Sequence, residues 1–152
     1  MFRGASVLSL DAKGRMAIPA KHRQSLLDQC NGQLVLTMYQ DPCLFLYPLP
    51  EWEIVEKRLS ELSTLDDTAQ SIRRLMIGHA TDVEMDSHGR LLLPPLMREL
   101  ALLEKDIALI GQGVRFEIWN DRVLSEQRQV WREKAARLDK TQLSPELQAL
   151  TF

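Results

Sequence analysis

Asp11-Ala12-Lys13-Gly14-Arg15 and Asp86-Ser87-His88-Gly89-Arg90 are the two stretches around which the chain is organised. Each places an aspartate four residues before an arginine, with a glycine directly before that arginine. Apolar residues follow in both cases. The residues that recur downstream at the same offsets are Pro19 and Pro94, then Arg23 and Arg98. A pattern that returns after 75 residues indicates a duplicated structural unit.

Both stretches have the chemistry of a tight turn. An aspartate side chain accepts hydrogen bonds from turn amides, and glycine adopts a positive φ without steric cost. Residues 5–10 and 15–18 flank the first turn and have strand-like composition, and residues 80–85 and 90–93 do so around the second. The sequence therefore predicts two β-hairpins with charged tips.

The remaining elements also occur in the same order in both halves. The predicted strands are 33–38, 43–47, 107–110 and 114–119, and the predicted helices are 20–27, 51–62, 66–77, 96–100 and one that starts at 121. The helix at 51–62 has an apolar stripe of Trp52, Val55, Leu59 and Leu62. The last helix has a stripe of Val123, Val130, Trp131 and Leu138, which could pack on its own chain or on a neighbour. The end, 141–152, is expected to be partly mobile.

The expected fold class is α+β, mostly β, with pseudo-two-fold symmetry and flanking helices. We expect a first repeat at 1–50, connecting helices at 51–78, a second repeat at 79–120, and a C-terminal helix and tail at 121–152. Each repeat alone is too small to bury a core well, so the two are expected to form one compact unit.

The composition of the chain is that of a soluble globular protein. The chain has 152 residues, of which 45% are hydrophobic and 26% charged, as is typical of soluble globular proteins. The longest apolar runs are far shorter than the roughly 20 residues of a membrane span. No secretory signal is recognisable at the N-terminus, and two cysteines, Cys30 and Cys43, do not form a disulfide framework. We therefore expect a cytoplasmic protein with no membrane partner.

Charge is unevenly distributed along the chain. The net charge is −2, yet residues 1–25 contain five basic side chains and a single acidic one, so this segment carries +4 and the rest −6. A basic segment on an acidic body fits either a local anion-binding surface or an uneven but solvated surface.

The arginines of the two turns could bind nucleic acid, in addition to any structural role of the turns. A guanidinium suits phosphate oxygens and the O6/N7 edge of guanine, and Gly14 would allow close backbone approach. The candidate DNA-binding residues are Arg3, Asp11, Lys13, Gly14, Arg15, Lys21 and Arg23, with Asp86, His88 and Arg90 in the second copy. The second copy has His88 and Leu96 where the first has Lys13 and Lys21, so it is the weaker candidate.

Catalytic and metal sites have less support. Asp11 and Asp86 could form a carboxylate pair, but each has an arginine four residues later that favours a permanent ion pair. The sequence has neither a Gly-x-Ser-x-Gly elbow nor a phosphate-binding loop. The cysteines are too far apart for a usual zinc motif and fit better as buried small residues. We therefore expect no enzyme, no metal and no cofactor, and no effector site is evident.

The tandem Asp-x-x-x-Arg motifs, the opening Met-Phe-Arg-Gly and the run Asp-Ala-Lys-Gly-Arg…Ile-Pro-Ala resemble the MraZ family of bacterial regulators. The resemblance implies an AbrB-like β-barrel of swapped hairpins. It implies a nucleoid-associated repressor of the division and cell-wall gene cluster, including its own gene. It also implies a ring homo-oligomer that binds G-containing direct repeats in promoter DNA. Arg15 would be the main DNA contact, oriented by Asp11 with Lys13 nearby, and Asp86 and Arg90 would form the second motif.

A ring would explain how subunits with few basic residues bind DNA, and it would also suit a protein that does not bind DNA. A subunit with few basic residues should bind DNA weakly, but several subunits on successive repeats act together. The alternative is a structural or protein-interaction ring without sequence-specific DNA binding, which the acidic body and the apolar helix stripes would suit.

Overall fold

A computed structural model describes residues 1–137 and 140–150. Contacts divide the chain into two compact units, Met1–Asp121 and Arg122–Phe152. The strands are β1 (Ala5–Ser9), β2 (Arg15–Ala17), β3 (Gln33–Thr37), β4 (Cys43–Pro48), β5 (Thr81–Glu84), β6 (Arg90–Leu92), β7 (Asp106–Gln112) and β8 (Arg115–Asn120). The helices are α1 (Ala20–Cys30), α2 (Leu49–Ser60), α3 (Asp67–Met76), α4 (Pro95–Leu100), α5 (Asp121–Ala136) and α6 (Pro145–Gln148), with a 3-10 helix at Lys140–Gln142. The α+β class is confirmed.

The strands of the two copies are interleaved. Six strands form one antiparallel sheet in the order β1-β7-β8-β4-β3-β5, and β2 pairs with β6 in a separate two-stranded ribbon. The first strand of each copy pairs with the third strand of the other, β1 with β7 and β5 with β3. Each copy therefore completes the sheet of the other.

The registers reveal a pseudo-two-fold axis. In the ribbon, Met16 lies directly opposite Leu91, its own equivalent 75 residues later. In the large sheet, Phe45 lies opposite Glu117, which occupies the equivalent position at an offset of 72. The axis passes through both pairs, so the duplication predicted from the sequence is also a geometric symmetry.

The strand pairing expected around the turns is wrong. A hydrogen bond joins Asp11 N to Arg15 O beside the first turn, and its counterpart joins Asp86 N to Arg90 O. Beyond that bond, β1 continues into the six-stranded sheet while β2 enters the ribbon. Each turn is therefore a corner between two sheets. Among the described residues, the strand ladders form these two sheets and do not close into a single barrel.

One apolar core lies between the two sheets and is shared by both copies. Met16 and Leu91 of the ribbon are fully buried and belong to the same cluster as Phe116 of the large sheet. Its other fully buried members are Ile18, Leu26, Leu36, Leu44, Leu46, Leu93, Ile107 and Ile118. Burying each such side chain contributes about 1.5–3 kcal/mol, and neither copy alone supplies enough of them to enclose the core.

The ends of α1 and α2 follow from the residues beside them. α1 ends at Cys30 because Asn31-Gly32 is a helix-stop signal: both residues adopt positive φ, and their N–H groups donate to the carbonyls of Leu27 and Leu26. α2 buries Trp52 and Leu59 of its apolar stripe, but it ends at Ser60, two residues before the predicted end. Leu62 lies beyond that end and is 39% exposed.

The second unit contains most of α5 and the two short helices after it. Val130 and Trp131 of the predicted stripe are exposed, and Leu138 lies outside the described residues. The segment 141–152, expected from the sequence to be partly mobile, contains part of the 3-10 helix and α6. Ser144 caps α6 by accepting a hydrogen bond from Leu147 N at 3.4 Å, a signal that the prediction overlooked. No helix in the described ranges is long and apolar enough to cross a membrane.

Candidate nucleic-acid interface

The carboxylate of Asp11 organises the first turn. Its Oδ1 accepts hydrogen bonds from the backbone N–H groups of Lys13 and Arg15, both at 2.9 Å. Its Oδ2 accepts a hydrogen bond from Arg15 Nε at 2.6 Å. Gly14 closes the turn with φ +81°, and its N–H donates to Asp11 O at 3.0 Å. The turn therefore requires the aspartate and the glycine, and together they fix the direction of Arg15.

The second turn has the same geometry. Asp86 Oδ1 accepts hydrogen bonds from His88 N and Arg90 N, both at 2.9 Å, and its Oδ2 accepts from Arg90 Nε at 3.0 Å. Gly89 has φ +75°, and its N–H donates to Asp86 O at 3.0 Å. His88, which replaces the lysine of the first copy, is exposed.

Both aspartates are held in the ionised form. The hydrogen bond from Arg15 N, with those from the Arg15 side chain and Lys13 N, lowers the pKa of Asp11 to about 2. The backbone of Arg90 likewise lowers the pKa of Asp86. A carboxylate pair that shares a proton needs one carboxyl with a raised pKa. The closed ion pairs of Asp11 and Asp86 with their arginines therefore argue against a carboxylate pair that shares a proton.

The β2–β6 ribbon brings the two motifs onto one face. Arg15 pairs with Leu92, and Ala17 pairs with Arg90. Successive residues of a strand point to opposite sides, and Met16 points into the core. The outer face therefore has Arg15 and Arg90 at diagonal corners, with Ala17 and Leu92 at the other two.

Each of these arginines has its guanidinium tip available. Asp11 engages Arg15 through Nε, and Asp86 engages Arg90 in the same way. Within the described residues, the Nη1 and Nη2 atoms of both side chains make no hydrogen bond. A guanidinium held through Nε still presents two parallel terminal donors, which is the arrangement that recognises two acceptors at once.

Arg23 and Arg98 lie on the turns of the opposite copies. Arg98 packs on Gly14: a Cβ at that glycine would lie 2.7 Å from Arg98 Cζ. Arg23 packs on Gly89 in the same way, with its Cδ 2.7 Å from the corresponding Cβ position. Both side chains are half-buried. Sequence proximity had associated Arg23 with the first turn, whereas the structure places it against the second.

The N-terminal segment carries further basic residues and is fixed by Phe2. This side chain is buried and stacks on Phe116, with ring centroids 4.1 Å apart. Its backbone exchanges hydrogen bonds with Gly113 at 2.6 and 2.9 Å. Arg3 and Lys21 are both exposed, and Lys21 Nζ lies 3.3 Å from the position a Cβ would take at the neighbouring Gly4. The Lys21 ammonium group therefore lies beside the backbone of the residue that follows Arg3.

His22 is part of this packing and is not placed to act as an acid or base. Its ring makes edge contacts with Phe2 and Phe116, at centroid distances of 5.8 and 4.9 Å. Burial, with a smaller effect of the Lys21 charge, lowers the pKa of His22, so the neutral ring is favoured.

The two copies differ in the chemistry around their turns. Positions equivalent to Lys13 and Lys21 are His88 and Leu96, and the position equivalent to Ala17 is Leu92. Leu92 is 57% exposed and Leu96 56%. The second copy therefore exposes leucine where the first has alanine or lysine, and Leu92 lies beside the first turn because it pairs with Arg15.

Comparisons with known proteins agree on one family. The family described as "MraZ protein, putative antitoxin-like" matches residues 1–75 and again residues 76–142. The chain belongs to the MraZ family.

Relatives named "Transcriptional regulator MraZ" match nearly all of the chain. The protein of Halorhodospira halophila is 48% identical and that of Methylococcus capsulatus 46%, each over 100% of both chains. The protein of Pseudoalteromonas atlantica is 54% identical over 84% of both chains.

The double match to the MraZ family coincides with the structural repeat. The boundary between the two matches, after residue 75, lies at the end of α3, just before β5 begins the second copy. The repeat seen in the registers and the repeat seen by the family comparison are therefore the same.

Neither a metal-binding cluster nor a disulfide is found among the described residues. They contain no group of three or more histidine, cysteine or acidic side chains that could hold a metal ion. Cys43 is buried and Cys30 partly buried, and neither forms a disulfide. Burial, reinforced by the nearby Glu117 and Asp41 charges, raises the pKa of Cys43, which disfavours its reactive thiolate.

The sequence did not reveal the positions of Phe2 and Arg98. Phe2 was read only as part of the opening tetrapeptide, whereas the structure buries it against Phe116. Arg98 was noted only as the counterpart of Arg23. Neither its spacing nor its residue type reveals that it lies on the turn of the other copy, because that depends on the strand interleaving.

Proposed function

We propose that the chain is a sequence-specific, double-stranded-DNA-binding transcriptional regulator without enzymatic activity. Its targets would be G-containing direct repeats in the promoter of the division and cell-wall gene cluster that includes its own gene, where it would act as a repressor. The observation that carries the proposal is Arg15, held by Asp11 through Nε with its terminal donors available on the outer face of a two-stranded ribbon. A ribbon of this kind fits the major groove, where arginine pairs with guanine O6 and N7.

The other basic residues of the first copy are proposed to contact phosphates. Lys13 lies at the tip of the first turn, and Lys21, in the first turn of α1, lies beside Gly4, the residue after Arg3. The first turn of α1 has no acidic residue and no side-chain cap, so its N–H groups also favour an anion. Arg23 is also a candidate DNA-binding residue from the sequence. Its Nε donates to Ile18 O, so only the terminal nitrogens of Arg23 would contact DNA.

The second motif is proposed to make a weaker contact. Arg90 is held by Asp86 as Arg15 is by Asp11, and it shares the ribbon face with Arg15. In its turn, however, His88 replaces the lysine of the first copy, so fewer phosphate contacts are available to the second copy. We expect the first copy to dominate affinity.

A ring homo-oligomer at the nucleoid is proposed as the active form. Several first-copy turns on successive direct repeats would combine weak contacts into useful affinity, because each further contact is made at high effective concentration. This explains how a subunit with net charge −2 could bind DNA.

The second candidate function is a structural or protein-interaction ring without sequence-specific DNA binding. It is favoured by Leu92 and Leu96, two residues of the second copy that expose apolar surface. This candidate predicts assembly with equal affinity for promoter and scrambled DNA.

The deciding experiment measures binding to the DNA upstream of the protein's own gene, at one fixed salt concentration. Arg15→Ala should weaken binding about 5- to 150-fold, the range for one lost bidentate base contact, and Arg90→Ala less. The matched control is Arg122→Ala, which removes an exposed arginine paired with a carboxylate four residues away, as Arg15 is, but on α5. If Arg15→Ala binds like this control, or if scrambled repeats bind as well as native ones, the proposal is wrong.

A further inference from the structure

We propose that Arg98 and Arg23 are positioning residues that act across the repeat: Arg98 holds the turn that carries Arg15, and Arg23 holds the turn that carries Arg90. This assignment rests on the proposed DNA-binding function for its effect on affinity. Its structural part stands independently.

Two contacts from the second copy hold the first turn, and a hydrogen bond within that copy links them. Leu93 N donates to Gly14 O at 3.0 Å. Leu93 O in turn accepts a hydrogen bond from Arg98 Nε at 3.0 Å. The guanidinium of Arg98 then lies over the Cα of Gly14, where no side chain intervenes. The turn is therefore bracketed between a backbone amide and a guanidinium that both belong to the other copy.

The second turn is bracketed in the same way by the first copy. Ile18 N donates to Gly89 O at 2.8 Å, and Ile18 O accepts from Arg23 Nε at 2.7 Å. The side chain of Arg23 lies over Gly89. The same arrangement occurs twice, with equivalent residues at every position. The contact is therefore a regular feature of the fold.

The crossing reverses the assignment that sequence distance suggests. Arg23 is eight positions after Arg15 and Arg98 is 83 positions after it, yet Arg98 lies on the turn of Arg15. The terminal donors of Arg15 are useful only if its turn is held in one direction. Since the first motif is the stronger candidate for DNA, removing Arg98 should weaken DNA binding more than removing Arg23.

The first measurement is amide hydrogen exchange in the full chain without DNA. Arg98→Met removes the guanidinium but keeps much of the apolar stem, and Arg23→Met is its matched control. Arg98→Met should speed exchange roughly two- to tenfold in residues 11–15, the loss expected for one hydrogen bond, and leave 86–90 unchanged. Arg23→Met should do the reverse. Faster exchange in the turn of the same copy, or equally in both, would overturn the crossed assignment.

The second measurement is affinity for promoter DNA over a range of salt. Arg98→Met should lower affinity with no change in the slope of log K against log salt, because a positioning residue touches no phosphate. Arg98→Lys keeps the charge but loses the planar group over Gly14, and it should weaken binding nearly as much. A slope smaller by about 0.9 in Arg98→Met, or full affinity in Arg98→Lys, would mean that Arg98 binds phosphate directly.

The combination with Arg15→Ala separates the two proposals. If Arg98 acts through Arg15, then Arg98→Met should have little further effect in an Arg15→Ala background. An additive loss would overturn the positioning role. If Arg15→Ala alone leaves binding unchanged, the proposed function fails, while the exchange result still decides whether the turns are held across the repeat.

Discussion

Replacing Gly14 by alanine tests the structure of the first turn most directly. Two costs are expected. Alanine at φ +81° loses about 1–2 kcal/mol in the left-handed region, part of which is recovered because alanine restricts the unfolded chain. The new Cβ would also lie within 3.0 Å of three atoms of the Arg98 guanidinium group. Arg98 must then move, and its hydrogen bond to Leu93 O is lost, for about 1 kcal/mol more.

Gly32→Ala is the matched control for the backbone term. Gly32 has φ +75°, and its nearest contact, Met85 Cβ, would lie at 3.4 Å, which is ordinary van der Waals distance. This variant therefore carries the conformational cost without displacing a charged side chain. We expect the free energy of unfolding to fall by about 1 kcal/mol in Gly32→Ala and by about 2 kcal/mol in Gly14→Ala.

Urea denaturation at fixed protein concentration gives both values, provided that the slope m is unchanged. The additional loss of stability in Gly14→Ala should disappear in an Arg98→Met background, because the guanidinium group and its hydrogen bond to Leu93 O are then already absent. Equal losses in the two alanine variants would refute the reasoning, as would an excess that persists without Arg98.

Three further perturbations test other parts of the molecule. Phe2→Ala removes a buried ring and should lower the free energy of unfolding by roughly 3 kcal/mol, measured by urea denaturation; a loss below 1 kcal/mol would mean that the N-terminal segment is not anchored. Thr37→Val should cost about 1–3 kcal/mol because the buried hydroxyl donates to Met76 O at the end of α3, whereas Thr37→Ser keeps this donor and should cost less. The pKa of Asp11 in the folded protein, about 2, lies below its unfolded value, so its stabilising contribution is complete above about pH 4 and is lost as the pH falls towards 2. Asp11→Asn should therefore show a shallower fall in stability between pH 4 and pH 2, and parallel curves for variant and wild type would contradict this.

The local elements of the fold were predictable from the sequence because their signals are local. Aspartate and glycine define each turn, and apolar alternation marks the strands. The polar turn at 63–64 and Gly78 predicted α3 to within one residue at each end. These elements depend on residues less than about ten positions apart, where propensity and periodicity act. The duplication followed from the two motifs being in register.

The strand partners were not predictable in the same way. A strand next to a tight turn usually pairs across that turn, and the sequence of β1 and β2 is compatible with that pairing. In the structure β1 instead pairs with β7, because this pairing buries the apolar faces of both copies against each other. The positions of Arg23 and Arg98 follow from this interleaving. The chemistry of the candidate site was therefore visible in the sequence, but its cross-copy geometry was not.

The interleaving also sets the order in which the chain can fold during synthesis. Ala5 of β1 pairs with Ile110, a separation of 105 residues. At a translation rate of roughly 5–20 residues per second, the first strand waits roughly 5–20 s for its partner. During that time the emerging first copy exposes an unpaired strand edge that a nascent neighbour could occupy. Pairings this distant in sequence also slow folding of the released chain, so assembly of the core awaits the last strand of the second copy.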